Sequence, residues 1–173
     1  MKRALFLGCL LTLISCDDGD LQIETLDFDS VDIDFCDDPI ATSSNLLFKI
    51  NDDEALILTL ESGVLNNGEI GTDTIQDTSL IPSQSQITYR IFSESVTDDY
   101  FCDDFPPVSP TVIEEIEAED GMVIINTVMN ADSTLFTHTI ELSGISLVSS
   151  IGERITDQTI NEFGEVTTAV PAN

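Results

Sequence analysis

The chain has 173 residues, 33 of them Asp or Glu against 5 Lys or Arg, a formal net charge of −28, with 42% hydrophobic residues and no Trp. That length suits one folded domain, and the apolar fraction can supply a core, which excludes a disordered acidic polymer. The charge excludes nucleic acid as a partner, because phosphate neutralisation needs clustered Lys and Arg, and it excludes docking on anionic lipid through basic residues.

Met1-Lys2-Arg3 is a short positive segment, and Ala4 to Ile14 is an almost unbroken apolar stretch. It is too short for a membrane-spanning helix, which needs about 20 residues. This is the layout of a secretory signal peptide. The stretch ends in Leu13-Ile14-Ser15-Cys16. These four residues resemble the lipobox of bacterial lipoproteins. The resemblance covers the leader alone. It implies that residues 1–15 are cleaved, that Cys16 becomes the diacylated N-terminus, and that the chain is held to a membrane through that lipid. An ordinary signal peptide with a chance Cys is the alternative.

Asp17-Asp18-Gly19-Asp20 follows. In enterobacteria, Asp directly after the lipidated Cys tends to hold lipoproteins at the inner membrane. In another group of Gram-negative bacteria, a short acidic run resembles the signal that sends lipoproteins to the outer face of the outer membrane. The acidic chain looks more like the second group. The expected location is therefore the outer membrane, exposed at the cell surface, with a periplasm-facing orientation or a merely solvated tether as alternatives. Residues 16–20 form a tether of at most roughly 17 Å, ahead of a single domain over 21–173. Once the leader is removed, Lys49, Arg90 and Arg154 are the only Lys and Arg.

The remainder reads as strands. Residues 21–35 alternate apolar and acidic: Leu26 and Phe28 share one face, then Val31, Ile33 and Phe35 share another. The phase slips near Asp29-Ser30, which implies a bulge or bend. Leu46 to Ile50 and Ala55 to Leu60 flank Asn51-Asp52-Asp53-Glu54, a hairpin with a four-residue loop. Ile87, Tyr89 and Ile91 alternate with polar residues. Residues 112–119 have ambiguous spacing and are assigned to a strand. Met122 to Met129 follows Asp120-Gly121, a hairpin signal. In Leu135 to Leu142, Phe136, Ile140 and Leu142 line one face, and His138 shares their parity. Ile145 to Val148, a run near Ile155 and one near Val166 complete the set. No segment shows apolar residues at helical spacing over 12 residues. The expected fold is an all-β, antiparallel β-sandwich of roughly nine to eleven short strands. Residues 62–86 and 93–111 carry little strand signal, and long loops in compact domains are often functional.

Cys9 leaves with the leader and Cys16 carries lipid, so Cys36 and Cys102 are the remaining thiols. In an exported chain they have one possible intramolecular pairing. Both lie in nearly the same phrase, Phe35-Cys36-Asp37-Asp38 and Phe101-Cys102-Asp103-Asp104. A disulfide between them brings four carboxylates into one neighbourhood. Ca²⁺ takes 6–8 oxygen ligands, so Asp37, Asp38, Asp103 and Asp104 are a candidate calcium site. Solvated carboxylates splayed apart are the alternative.

Catalytic signals are scarce. His138 is the only histidine and reads as a core residue rather than a base. There is no Gly-x-Ser-x-Gly, His-Glu-x-x-His, Cys-x-x-Cys or Gly-rich phosphate loop. The favoured reading is a non-catalytic lipoprotein for binding, adhesion or assembly with an unknown protein or polymer ligand. The alternative is a small carboxylate-based hydrolase of cell-surface polymers, which requires two carboxylates in a cleft. An accessory subunit of an envelope complex is a third option.

Overall fold

The computed structural model of the protein describes residues 26, 28, 30–66, 74–132, 134–152, 154–156 and 160–170. The leader 1–15, Cys16, the acidic tether and the expected strand residues 21–25 lie outside these, as do Asn67, Gly68 and Gly71. Among the described residues the chain is all-β and antiparallel. The strands are β1 (Asn45–Asn51), β2 (Glu54–Leu60), β3 (Ile75–Ile81), β4 (Gln86–Phe92), β5 (Val112–Met129), β6 (Leu135–Val148), β7 (Arg154–Thr156) and β8 (Ile160–Ala169). One four-residue helix, α1 (Asp99–Cys102), precedes β5. The strands form one curled sheet, a half-barrel, in the order β1-β2-β4-β5-β6-β7, with β3 also paired to β5 and β8 to β6.

One curled sheet of eight strands thus stands where a sandwich of nine to eleven was expected, and β5 and β6 explain the difference. The expected strands 112–119 and 122–129 are one strand of 18 residues, and 135–142 and 145–148 are one strand of 14. Asp120-Gly121 makes no hairpin. It lies inside β5, where the register with β6 shifts on both sides of Asp120. A glycine at such a bulge lets a strand bend while its pairing continues. Before the bend β5 pairs with β4, from Phe92↔Val112 to Thr88↔Glu117; beyond it β5 pairs with β3, from Ile81↔Gly121 to Ile75↔Thr127. The bend is therefore a corner of the half-barrel.

Gly121 has φ 134°, and a Cβ there would stand 2.6 Å from Ile145 Cδ1 and 3.1 Å from Ile145 Cα. Gly121→Ala is expected to lower stability by about 1–3 kcal/mol in urea unfolding. Gly63→Ala, at φ 88° with no atom within 4 Å of the new Cβ, is expected to cost less, since only the backbone is strained. Equal losses at the two sites would refute the crowding argument.

β3 lies within the stretch 62–86 that carries little strand signal. Its alternation is present, but the inward members are partly polar: Ser79 is buried beside Ile81, and its Oγ lies 2.6 Å from Ser85 Oγ. The β1–β2 hairpin closes over two residues rather than four, because Asn51 and Glu54 pair as its last rung. Asp52 takes the left-handed conformation at φ 58°, which Asp tolerates better than most residues.

β1 and β2 bury both faces, so their apolar runs are nearly continuous rather than alternating. Leu47, Leu56, Leu58 and Leu60 face the concave side and join Val123, Ile125, Ile140, Leu142, Leu147 and Phe163 in the main core. Phe48, Ala55 and Ile57 face the convex side and form a second cluster with Phe92 and Val96. No second sheet covers that cluster among the described residues; Tyr100 and Phe101 of α1 pack against it.

Leu26, Phe28, Ile33 and Phe35 pack against the main core, and the described residues among 26–36 form no strand. The phase slip falls on a turn at Ser30, and only Asp34 pairs with a strand, exchanging backbone hydrogen bonds with Phe48 at 2.7 and 2.9 Å. Phe28 is buried edge-to-face with Tyr89, at 6.3 Å between ring centroids. Ile33 fills the space over Gly164, where a Cβ would lie 2.8 Å from Ile33 Cδ1. The segment thus reaches from β1 to β8 along the open side of the half-barrel.

Candidate functional site

The Cys36–Cys102 disulfide is present, with Cα atoms 5.1 Å apart. The two similar phrases meet there, but their phenylalanines diverge. Phe35 packs against the main core, whereas Phe101 stacks on Phe48 in the second cluster, 4.5 Å between centroids at 25°. Tyr100 meets Phe92 edge-on at 4.9 Å. A helix of one turn has little stability of its own, so these aromatic contacts and the disulfide hold α1 in place.

The segment 93–111, which contains α1, is fixed at its base and exposed at its tip. Ser93 N donates to Thr111 O at 2.9 Å, and Thr111 N donates to Ser93 Oγ at 3.0 Å. Ser109 Oγ donates to Glu94, and Ser95 Oγ donates to Asp52. Val96 N donates to Asp52 O at 2.9 Å, which ties the segment to the β1–β2 turn. Between these anchors runs Phe105-Pro106-Pro107-Val108-Ser109-Pro110. Phe105 is 89% exposed and Val108 96%, and Ile113 just beyond is 67% exposed. Glu94, Asp98, Asp99, Asp103 and Asp104 around them are all exposed. From Ile91 to Glu153 the sequence contains no Lys or Arg. The result is an apolar tip on a stapled base, with acidic residues before it in the sequence and Arg90 paired to Glu115 beside the start of β5.

The structure gives no support to a calcium site at Asp37, Asp38, Asp103 and Asp104. The disulfide joins their backbones, but all four side chains are exposed. Among the described residues no three or more His, Cys, Asp or Glu side chains converge where a metal ion could sit. Mutual repulsion is smallest when like charges turn outward into water, and that is the arrangement found.

Two open grooves complete the candidates. The first, about 690 Å³, lies between residues 31–33, Lys49 and β8. Lys49 is 4% exposed; its Nζ donates to Phe28 O at 2.8 Å and lies 5.4 Å from the Phe163 ring centroid. The carboxylates here, Asp32, Glu162 and Glu165, are exposed, and Thr139 Oγ1 donates to Glu165 at 2.9 Å. The second groove, about 660 Å³, includes Glu115, Glu117 and Glu119 of β5. Arg90 pairs with Glu115 at 2.5 Å and Arg154 with Glu119 at 3.6 Å.

His138 faces the core, as its parity in the sequence requires. It is fully buried, with Nδ1 at 2.8 Å from Thr127 Oγ1 and Nε2 at 2.8 Å from Thr168 Oγ1. A neutral imidazole has one donor and one acceptor, and two hydroxyls satisfy both. Burial lowers its pKa from 6.5 to about 4. The unfolded chain takes up this proton first as pH falls. The site's contribution is therefore fully present above pH 6.5 and is lost progressively towards pH 4, by up to about 3 kcal/mol. The stability gap between the native chain and His138→Gln, measured by urea unfolding, is expected to shrink from pH 7 to pH 4.5. A gap independent of pH would contradict this assignment.

No family model, no curated protein and no solved structure matches this chain. Its function is therefore argued from the site alone. The sequence points to the segment 93–111 through its prolines and missing strand signal. It does not single out Phe105, Val108 and Ile113, although apolar residues between prolines and acids are the signal that marks them.

Proposed function

We propose that this chain is a lipid-anchored, non-catalytic binding protein. In this reading residues 1–15 are its cleaved leader, Cys16 its lipidated N-terminus, residues 16–20 its tether and the β domain its outward-facing part on the outer membrane. The observation that carries the binding assignment is the loop after α1, where large apolar side chains stand in water on a base held by a disulfide and several hydrogen bonds. Exposed apolar groups held rigidly lose little entropy when a partner covers them. The solvated state of the groove carboxylates supports binding over hydrolysis.

Labelled palmitate and protease treatment of the native host cells test the anchoring and the location. Label is expected in the native chain and absent from Cys16→Ala. A Glu-specific protease is expected to degrade the domain on intact cells, since three cations leave trypsin few sites. Absence of label in the native chain would refute the anchor. Protection until lysis would move the protein to the periplasm and favour a role in envelope machinery.

A further inference from the structure

We infer that the 103–111 loop, with Ile113 at the start of β5, is the docking surface for a cationic protein partner, one that offers an apolar pocket ringed by Lys or Arg. This rests on the reading of the chain as a binding protein and adds the place of contact and the chemistry of the partner. Phe105 and Val108 are almost wholly exposed, and Ile113, at the start of β5, is largely exposed as well. Isolated exposed apolar residues are ordinary, but three within nine residues on a proline-stiffened segment are what a partner's pocket requires.

The surroundings select among occupants. Asp103 and Asp104 directly precede Phe105, Glu94 accepts from Ser109 Oγ, all three carboxylates are exposed, and Arg90, the cation that β4 brings beside the start of β5, is paired with Glu115. A second copy of this chain would bring the same carboxylates against it and be repelled. Anionic lipid would be repelled for the same reason. A surface carrying Lys or Arg around an apolar pocket is complementary in both respects, with charge guiding the encounter and the apolar contact setting the lifetime. The base is already ordered: α1 is stacked on Phe48 and Phe92, Cys102 is bonded to Cys36, and Thr111 is tied to Ser93.

The test uses the full chain held in phosphatidylcholine nanodiscs, with empty nanodiscs as reference. Two blocked hexapeptides of equal charge are the probes, Lys-Lys-Leu-Leu-Lys-Lys and Lys-Lys-Ser-Ser-Lys-Lys, titrated at physiological ionic strength. Any polyanion binds both, so the readout is the preference between them. The leucine peptide is expected to bind about tenfold more tightly, as burial of one or two large apolar side chains allows. Phe105→Ser with Val108→Ser is expected to abolish that preference and leave affinity for the serine peptide unchanged. Both positions are exposed, so unchanged thermal unfolding checks that the variant is folded. Ile151→Ser, at another exposed apolar residue, is expected to retain the preference.

Equal binding of the two peptides by the native chain would overturn the partner chemistry. A preference that survives the double substitution would overturn the placement at this loop, while the chain would still be a binding protein. A dimer that the double substitution dissolves would assign the tip to a second copy and overturn the proposal. So would attenuation of the Phe105 ring signal by nitroxide-labelled acyl chains, which would assign the tip to lipid. Failure of the binding-protein reading itself would show separately, as breakdown of cell-surface polymer by the purified chain.

Discussion

Replacing Cys36 and Cys102 together by Ser is expected to lower the unfolding free energy by about 4 kcal/mol, the largest loss from any change that removes no core side chain. The bond closes a loop of 66 residues of sequence separation, and loop-closure entropy lost by the unfolded chain scales with the logarithm of that length. For a domain of this size the loss corresponds to a fall of roughly 10 °C in melting temperature. The position of the bond adds a local consequence. Cys36 lies two residues beyond the Asp34 bridge to β1, and Cys102 ends α1. With the bond cut, the Asp34–Phe48 bridge, the hydrogen bonds of Ser93, Val96 and Thr111 and side-chain packing hold the two segments, so the 103–111 loop is expected to lose hydrogen-exchange protection before β5 and β6 do. Urea unfolding of the oxidised and doubly substituted chains measures the first effect. A difference below about 1 kcal/mol would show that the unfolded chain is already compact across this span.

Phe48→Ala is expected to cost about 3–5 kcal/mol, the range for a fully buried aromatic residue. Phe48 is wholly inaccessible, and its ring lies between β2 and α1, stacked on Phe101 and clustered with Ile57, Phe92 and Val96. The cavity left behind would sit beneath α1 and remove the ring on which Phe101 stacks, leaving the edge-on contacts with Phe92. A double-mutant cycle with Phe101→Ala is expected to give a coupling of about 0.5–1.5 kcal/mol, the usual range for an aromatic pair. Leu46→Ala is the comparison. Leu46 neighbours Phe48 on the same strand but is half-exposed, so its cost is expected to stay near 0.5 kcal/mol. Similar losses at 46 and 48 would mean that the convex face is not sealed by α1.

These expectations show how local and distant information divide. Period-two alternation is local, so the strands around Ile87–Ile91 and Leu135–Leu142 could be read from their own residues, and with them the inward orientation of His138. β3 was not legible, because Asp77 and Ser79 occupy inward positions and hide the pattern that Ile75 and Ile81 begin. Asp120-Gly121 was misread for a related reason. The same dipeptide suits a hairpin turn and a bulge, and the choice depends on whether the strand finds a partner beyond it. β5 does, in β3 and β6.

The candidate site divides in the same way. The Cys36–Cys102 pair is the expectation once the leader reading sets Cys9 and Cys16 aside, and the bond is present; the segment 93–111 stands out by its prolines. Whether the neighbouring carboxylates converge could not be counted: Asp37, Asp38, Asp103 and Asp104 are adjacent to joined cysteines, yet all four point into solvent.

The sequence by itself pointed to the class of this protein, all-β and antiparallel, to Cys36 and Cys102 as partners and to a strongly negative net charge. Those properties depend on residue type and on neighbours one or two positions away. Only the tertiary structure decided that β5 and β6 bend through continuous pairing into a half-barrel, that α1 covers the convex face, and that Phe101 is buried while Phe105 is not. Each of these depends on which distant residues meet, and burial is energetically worth its entropy only where a complementary apolar surface has already been assembled. Phe48 and Phe92 provide that surface for Phe101; among the described residues nothing provides it for Phe105.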